Sequence, residues 1–127
     1  MLRQSKGAEA LKEFNTAVRL NPNDVANLIY IARVMAAADD ASARDGVTAC
    51  QLAMRAVKLS GDDQPGPLDT LAAAYAECGR FDEAVKTQVQ ALALAQKMGL
   101  TEDESAMQER LELYRRHQPW RKSFAGP

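Results

Sequence analysis

The chain repeats one helical spacing of apolar residues along its length. Each copy has a large apolar residue, a second one three positions later, an alanine next, and a last large residue three positions after that. The two copies are Leu28-x-x-Ile31-Ala32-x-x-Met35 and, 40 positions on, Leu68-x-x-Leu71-Ala72-x-x-Tyr75. Residues three, four and seven apart lie on one face of a helix. Each copy therefore predicts a helix with one apolar face.

The residues that follow each copy also recur. Ala49 and Ala56 return 35 positions later as Ala84 and Ala91, with Gly79 before them, where a helix has to end. An earlier segment matches Ala49, Ala53 and Ala56 at a distance of 39 positions, with Ala10, Phe14 and Ala17. The chain therefore consists of short helices in pairs, each pair joined by a turn.

This arrangement resembles the tetratricopeptide repeat over residues 1–96. Residues 113–121 are similar to the C-terminal ends of long bacterial arrays of this repeat. That repeat is a helix–turn–helix of about 34 residues with large–x2–Leu–small–x2–Tyr, then Ala–x3–Phe, then Pro. The matching residues are Ala32, Ala72 and Tyr75 in the first motif, Ala10 and Phe14 in the second, and Pro22. The resemblance implies an all-α, right-handed solenoid of antiparallel helix pairs.

The predicted units form a domain over residues 1–117. It contains a partial repeat at 1–24, repeats at 25–64 and 65–98, and a capping helix at 101–117; residues 118–127 are predicted to be a flexible tail. Six helices are expected, at 6–20, 24–37, 46–60, 67–78, 80–98 and 102–117. Asn23 is the expected N-cap of the second helix, and Thr101 with Glu104 has the spacing of a capping box.

The sequence departs from the family pattern in four ways. Leu28 and Leu68 stand where the family has tryptophan, and Gln88 stands where the first unit has Phe14. The second unit has five extra residues within 38–46, and the first unit lacks most of its first helix. The polar composition of the extra residues predicts a loop.

Composition argues against several classes of protein. The formal net charge of −1 leaves no strong field for nucleic acid or a membrane. The longest apolar stretch, 25–38, is interrupted by Asn27 and Arg33, and no signal peptide is expected, so a cytoplasmic location is the default. Cys50 and Cys78 are too few for a disulfide framework and are interpreted as packed helix residues.

No catalytic or metal-binding pattern is found in the sequence. His117 is the one histidine, and no glycine-rich phosphate loop is present. The chain is therefore predicted to be no enzyme, with no cofactor and no metal. A basic end with aromatic neighbours could bind nucleic acid, but a solvated cap and tail is the favoured interpretation. This basic end comprises Tyr114, Arg115, Arg116, Trp120, Arg121 and Lys122.

The resemblance implies a protein-binding function, because the first helix of each tetratricopeptide pair lines a concave groove. The residues that helical phase assigns to this groove are Ile29, Arg33, Asp69, Ala73 and Ala76. The expected partner is another protein, bound through a peptide or a helix. One subgroup of the family binds C-terminal carboxylates of chaperones on this face. Such binding is not expected here, because Asp69 places a negative charge where neutral or positive groups are needed.

Two alternatives remain open at this stage. The chain could be a non-catalytic repeat segment of a larger enzyme, such as a glycosyltransferase or a kinase, or it could be a homo-oligomeric scaffold. The first helix has an apolar stripe too wide for one neighbour, formed by Leu11, Phe14 and Val18 together with Ala10 and Ala17. A two-fold dimer through this N-terminal helix is therefore also predicted.

Overall fold

Six α-helices make up the fold in the computed structural model, which describes residues 6–61 and 63–124. They are α1 (Lys6–Leu20), α2 (Val25–Ala37), α3 (Gly46–Ser60), α4 (Pro65–Glu77), α5 (Phe81–Lys97) and α6 (Thr101–Arg115). One 3₁₀ turn, Ala41–Ala43, lies between α2 and α3. Within these residues there is no β-strand, only an isolated parallel bridge between Ala38 and Lys122. The all-α prediction is confirmed.

Alanines form much of the interface between neighbouring helices. From α2 to α6 each helix packs against the next one, and α2 also packs against α4. From α2 onward the repeated alanines of the sequence pattern are fully buried, namely Ala32, Ala49, Ala53, Ala56, Ala72, Ala84 and Ala91, whereas Ala10 and Ala17 of α1 are half-buried. Small side chains let helix backbones approach closely. The repeat pattern therefore marks the contacts between helices, as the sequence predicts.

The helix ends differ slightly from the sequence prediction. Asp24, not Asn23, caps α2, and its side chain accepts a hydrogen bond from the Asn27 N–H. Thr101 is the first residue of α6 and Leu100 precedes it, without a side-chain cap. The predicted capping box is therefore absent. Leu100 packs against the apolar cluster of α4, α5 and α6. The helix begins one residue before the predicted start at 102.

The extra residues between α2 and α3 form a docking site for the start of α1. The carboxylate of Asp40 accepts hydrogen bonds from the N–H and the hydroxyl of Ser42, which closes the 3₁₀ turn. Gly7 is buried against this turn, where a Cβ would overlap the Ser42 side chain and lie 2.7 Å from the Ala43 nitrogen. Only glycine allows the two segments to approach so closely.

The last helix, α6, packs against α5. Its predicted apolar face, Met107, Leu111 and Tyr114, is buried. The helix ends at Arg115, and two residues later His117 has a left-handed φ of 57°. The His117 ring stacks on Phe81, with 5.2 Å between the ring centroids. The chain then turns back toward α2.

Replacing Ala72 by leucine tests the helix contacts. Ala72 lies in one buried cluster with Ala84 of α5 and Tyr114 of α6. A larger side chain would overpack this cluster and should lower the free energy of unfolding by about 1–3 kcal/mol. Urea denaturation followed by circular dichroism measures the change. Ala93→Leu, at an exposed position of α5, is the matched control; equal stability of the two variants would contradict the packing.

Candidate protein-interaction face

The predicted groove residues are more buried than a solvated groove requires. Asp69 is 1% exposed, and Ala73 and Ala76 are each 2% exposed. Ile29 and Arg33 are half-buried. Ala73 and Ala76 are therefore not open to solvent at the predicted groove. Helical phase assigns them to one face, but α6 and the residues that follow it pack over that face.

Asp69 is the centre of a buried polar network that joins four helices. Its Oδ2 accepts hydrogen bonds from Arg33 of α2 at 3.0 Å and from Arg110 of α6 at 2.6 Å. Its Oδ1 accepts a hydrogen bond from Gln88 of α5 at 2.9 Å. Arg33 Nε also donates to the hydroxyl of Thr70 at 2.9 Å. The carboxylate is thus bound by its own chain rather than presented to a ligand.

Gln88 explains one departure from the family pattern. Its side chain is fully buried, and its Nε2 donates both to Asp69 and, at 3.0 Å, to the backbone carbonyl of Met107. An amide at this position can serve two acceptors at once, which the phenylalanine of the first unit cannot. Burial, with the Asp69 carboxylate as the next cause, raises the pKa of the nearby Tyr114 hydroxyl. That phenol therefore stays neutral.

Residues 119–124, here called the C-terminal segment, lie against the C-terminal end of α2. The Lys122 N–H donates to the Ala37 carbonyl at 2.8 Å, and the Lys122 carbonyl accepts from the Asp39 N–H at 3.0 Å. The Arg121 guanidinium donates to the Ala36 carbonyl at 3.4 Å. The last carbonyls of a helix have no partner within the helix. The segment supplies partners to two of them in α2.

Glu77 anchors the segment by charge. Its carboxylate binds Arg121 at 2.7 Å and Arg44 at 3.3 Å. Arg44 in turn donates to the Ala38 carbonyl at 2.6 Å. Glu77 is the last residue of α4, where the helix dipole disfavours a carboxylate. The two arginines offset that effect and connect α4, the residues after α2, and the C-terminal segment.

Two aromatic side chains complete the attachment. Trp120 packs against the apolar clusters on both sides of α4, and the Arg110 guanidinium lies 4.1 Å from its ring centroid. Phe124 packs against the cluster of Val34, Ala38 and Ala43. The segment therefore fits the face through side chains at both ends and backbone hydrogen bonds between them.

The described part of the tail predicted at 118–127 makes contacts with the rest of the chain, and the flexibility of this tail stays a prediction. The part from 118 to 124 has defined hydrogen bonds, an ion pair and aromatic contacts. Residues 125–127 lie outside the described part of the chain. The physical reason is that α2 ends in unpaired carbonyls with an acidic residue nearby, and the basic residues of the segment bind both.

The predicted oligomer contact residues lie on α1. Leu11, Phe14 and Val18 are half-buried and pack against the apolar cluster formed by buried residues of α2, α3 and α4. The Phe14 ring also meets Tyr30 edge-on at 6.0 Å. Beside Phe14, between α1, α2 and Phe124, lies a cavity of about 330 Å³ with largely apolar walls. The stripe is thus partly covered by its own chain and partly open.

Sequence reasoning missed four residues of the Asp69 network and of the attachment of the C-terminal segment. Gln88 and Arg110 complete the Asp69 network, and Glu77 and Trp120 hold the C-terminal segment. One available signal was the composition of α4, in which nearly every residue around Asp69 is small or apolar. A helix that is apolar on all sides is buried, so Asp69 required a buried partner.

Two further findings concern the described residues only. They contain no group of three or more histidine, cysteine or acidic side chains placed to hold a metal ion. None of their helices has the length and apolar character needed to span a bilayer. The sequence predictions of no cofactor and no enzymatic activity stay predictions.

Comparisons with known proteins return no relative. No protein-family model matches the chain, and neither a curated protein nor a solved structure matches it.

Proposed function

We propose that this chain is a tetratricopeptide-like interaction module that binds an extended peptide of a partner protein. Its helices would form a right-handed solenoid of antiparallel pairs with α6 as the cap. The peptide would lie on the face formed by the ends of α2 and α4, where the chain's own C-terminal segment lies. This face replaces the groove that helical phase alone indicates, because that groove is filled from within.

The carrying observation is the way in which the C-terminal segment is held. It is extended, its backbone at Lys122 pairs with α2, and its side chains at Trp120 and Phe124 enter apolar clusters. Backbone pairing together with side-chain anchors is the general mode by which domains bind extended peptides. A face that holds six residues of its own chain in this way has the chemistry to hold a similar peptide from another chain.

We infer the chemistry of the partner from the same contacts. Arg121 binds the carboxylate of Glu77, so a cation is favoured at that place. Trp120 lies under Arg110, and Phe124 lies four residues further on, in the apolar cluster of Val34. The partner peptide should therefore have an aromatic residue, then a basic residue, then a second aromatic residue about four positions after the first.

A peptide-binding experiment with the full chain tests the proposal. The variant Trp120→Ala/Phe124→Ala weakens the chain's own segment and removes the single tryptophan. A synthetic peptide with the sequence of residues 119–124 then carries the only tryptophan in the mixture. We expect its fluorescence anisotropy to rise on binding. In the wild-type chain the tethered C-terminal segment should compete with the peptide and weaken its binding at least about tenfold. The reason is that a tethered segment has an effective concentration on the order of millimolar.

A matched peptide with glutamate in place of Arg121 is the control. It keeps both aromatic residues but would repel Glu77, so it should bind at least about tenfold more weakly. Circular dichroism must show that the double variant keeps its helices. A folded variant that binds neither peptide up to millimolar concentration, or binds both equally, would refute the peptide site.

A second candidate function is self-assembly through α1. The observation that favours it is the half-buried stripe of Leu11, Phe14 and Val18 beside the open apolar cavity. A second copy could cover this stripe in a two-fold contact, and burying one such side chain is worth about 1.5–3 kcal/mol. This dimer does not depend on the peptide site.

Light scattering at several concentrations tests the dimer. We expect the wild-type mass to rise toward twice that of the monomer, and Leu11→Glu to restore the monomer. Leu20→Glu is the control, because Leu20 is on the same helix but 71% exposed. Leu11 is replaced rather than Phe14, because the Phe14 ring also contacts Tyr30 and its loss would remove a contact within the chain. A monomeric wild-type mass at every concentration excludes the dimer.

A further inference from the structure

Cys50 and Cys78 come together where α3 packs against the end of α4. Cys50 is in the first turns of α3, and Cys78 directly follows α4, before the turn into α5. Their sulfur atoms are 3.7 Å apart, although 28 positions separate the two residues in the chain. Both are free thiols. The sequence interpretation treats them as separate packed residues and does not anticipate this contact.

The surroundings leave room for a bond between the two sulfur atoms. A disulfide has a sulfur–sulfur distance of about 2.05 Å, so the atoms must approach each other by about 1.7 Å. Cys78 stands at the junction with Gly79, whose φ of 76° is accessible to glycine without strain. Gly46 of α3 faces Cys78, and a Cβ there would lie 2.9 Å from its sulfur. The missing side chain provides the space for the Cys78 sulfur.

The two thiols differ in access to solvent. Cys50 is 8% exposed, whereas Cys78 is half-buried at the edge of the turn. Burial, and next the hydrogen bond with Cys78, raise the pKa of the Cys50 thiol to about 12. Cys50 is therefore poorly suited to react first with an oxidant from solution. Cys78 is the thiol that an oxidant can reach.

We propose that Cys50 and Cys78 are a redox-modification site that closes to an intramolecular disulfide when the chain meets a peroxide. The Cys78 sulfur attacks hydrogen peroxide, the O–O bond breaks, and a sulfenic acid and one water form. The Cys50 sulfur then attacks the Cys78 sulfur and the S–O bond breaks. The hydroxide leaves with the Cys50 proton as a second water. The two sulfurs give two electrons and the peroxide accepts them.

The disulfide would connect α3 to the turn between α4 and α5. It would enclose a long loop of chain, and closing a long loop removes conformational freedom from the unfolded state. Glu77, which holds Arg44 and Arg121, is next to Cys78. The bond would therefore fix the corner at which the C-terminal segment is attached.

Mass spectrometry of the full chain tests the proposal. Wild-type protein at low micromolar concentration is treated with hydrogen peroxide, free thiols are blocked, and the chain is cut with trypsin. We expect residues 45–55 and 59–80 to appear as one linked peptide that a phosphine reductant separates. The unfolding temperature should rise on the order of 10 °C and return after reduction.

The single variants Cys50→Ala and Cys78→Ser are the controls. Neither should give the linked peptide or the rise in unfolding temperature. Wild-type chain that yields only sulfinic or sulfonic acid at Cys78, or only disulfides between chains, would overturn the proposal. The peptide map of the wild type decides this even if one variant folds poorly.

Discussion

Replacement of Asp69 by alanine should lower the free energy of unfolding by about 3 kcal/mol. The Asp69 carboxylate is 1% exposed and binds Arg33, Gln88 and Arg110. Removing one partner of a buried ion pair leaves the other charges without compensation, which typically costs about 3–5 kcal/mol. The lower end is expected here, because Arg33 and Arg110 keep 27% and 15% side-chain exposure and can be partly hydrated.

Chemical denaturation measures this change, with Asp103→Ala as the matched control. Asp103 is an exposed acidic residue near Arg110 on α6, and its replacement should change stability by less than about 0.5 kcal/mol. Similar losses in the two variants would show that Asp69 contributes only surface charge. That result would contradict the buried network.

Two further variants separate charge from packing in the same network. Arg33→Glu should destabilise the fold, because it places a second carboxylate beside Asp69. The triple variant Arg33→Met/Asp69→Leu/Arg110→Met removes every charge together. Replacing a whole buried ion network by apolar residues is often neutral or stabilising. It should therefore be more stable than Asp69→Ala.

The helices could be predicted from sequence because their signals are local. The apolar spacing of α2 and α4 and the glycines at 61, 79 and 99 lie within a few residues of the structure they determine. The C-terminal end of α1 and both ends of α3 match the prediction, and the ends of α2, α4, α5 and α6 differ by two residues or fewer. Caps were less predictable, since Asn23 and Asp24 are both suitable residues and only the local backbone selects one.

What covers a helix face could not be predicted from the helix itself. Helical phase assigns Asp69, Ala73 and Ala76 to a single face, but the residues that cover it come from much later in the chain. Arg110 lies 41 positions after Asp69, and Arg121 lies 85 positions after Ala36. Such contacts leave no periodic pattern. The polar composition of residues 118–124 also resembles that of a loose tail and does not indicate these contacts.

Replacement of Trp120 by alanine should have the second largest effect. Trp120 packs against the apolar clusters on both sides of α4, and its ring lies 4.1 Å from the Arg110 guanidinium. Full removal of a core tryptophan costs about 3–5 kcal/mol. Because Trp120 is half-buried, we expect a loss of about 2–3 kcal/mol. Urea denaturation followed by circular dichroism is the measurement, since the variant has no tryptophan fluorescence.

Amide hydrogen exchange shows whether this loss is local to the C-terminal segment. The N–H groups of Lys122 and Asp39 are bonded between the segment and the end of α2. In Trp120→Ala both amides should lose at least about tenfold of their protection from exchange. The N–H of Ala53 in α3 should still exchange only through global unfolding of the chain. Ser123→Ala, an exposed position in the same segment, is the control and should change neither. Unprotected Lys122 and Asp39 amides already in the wild type would mean that the segment is loose in solution, and the peptide-binding proposal would then lose its main support.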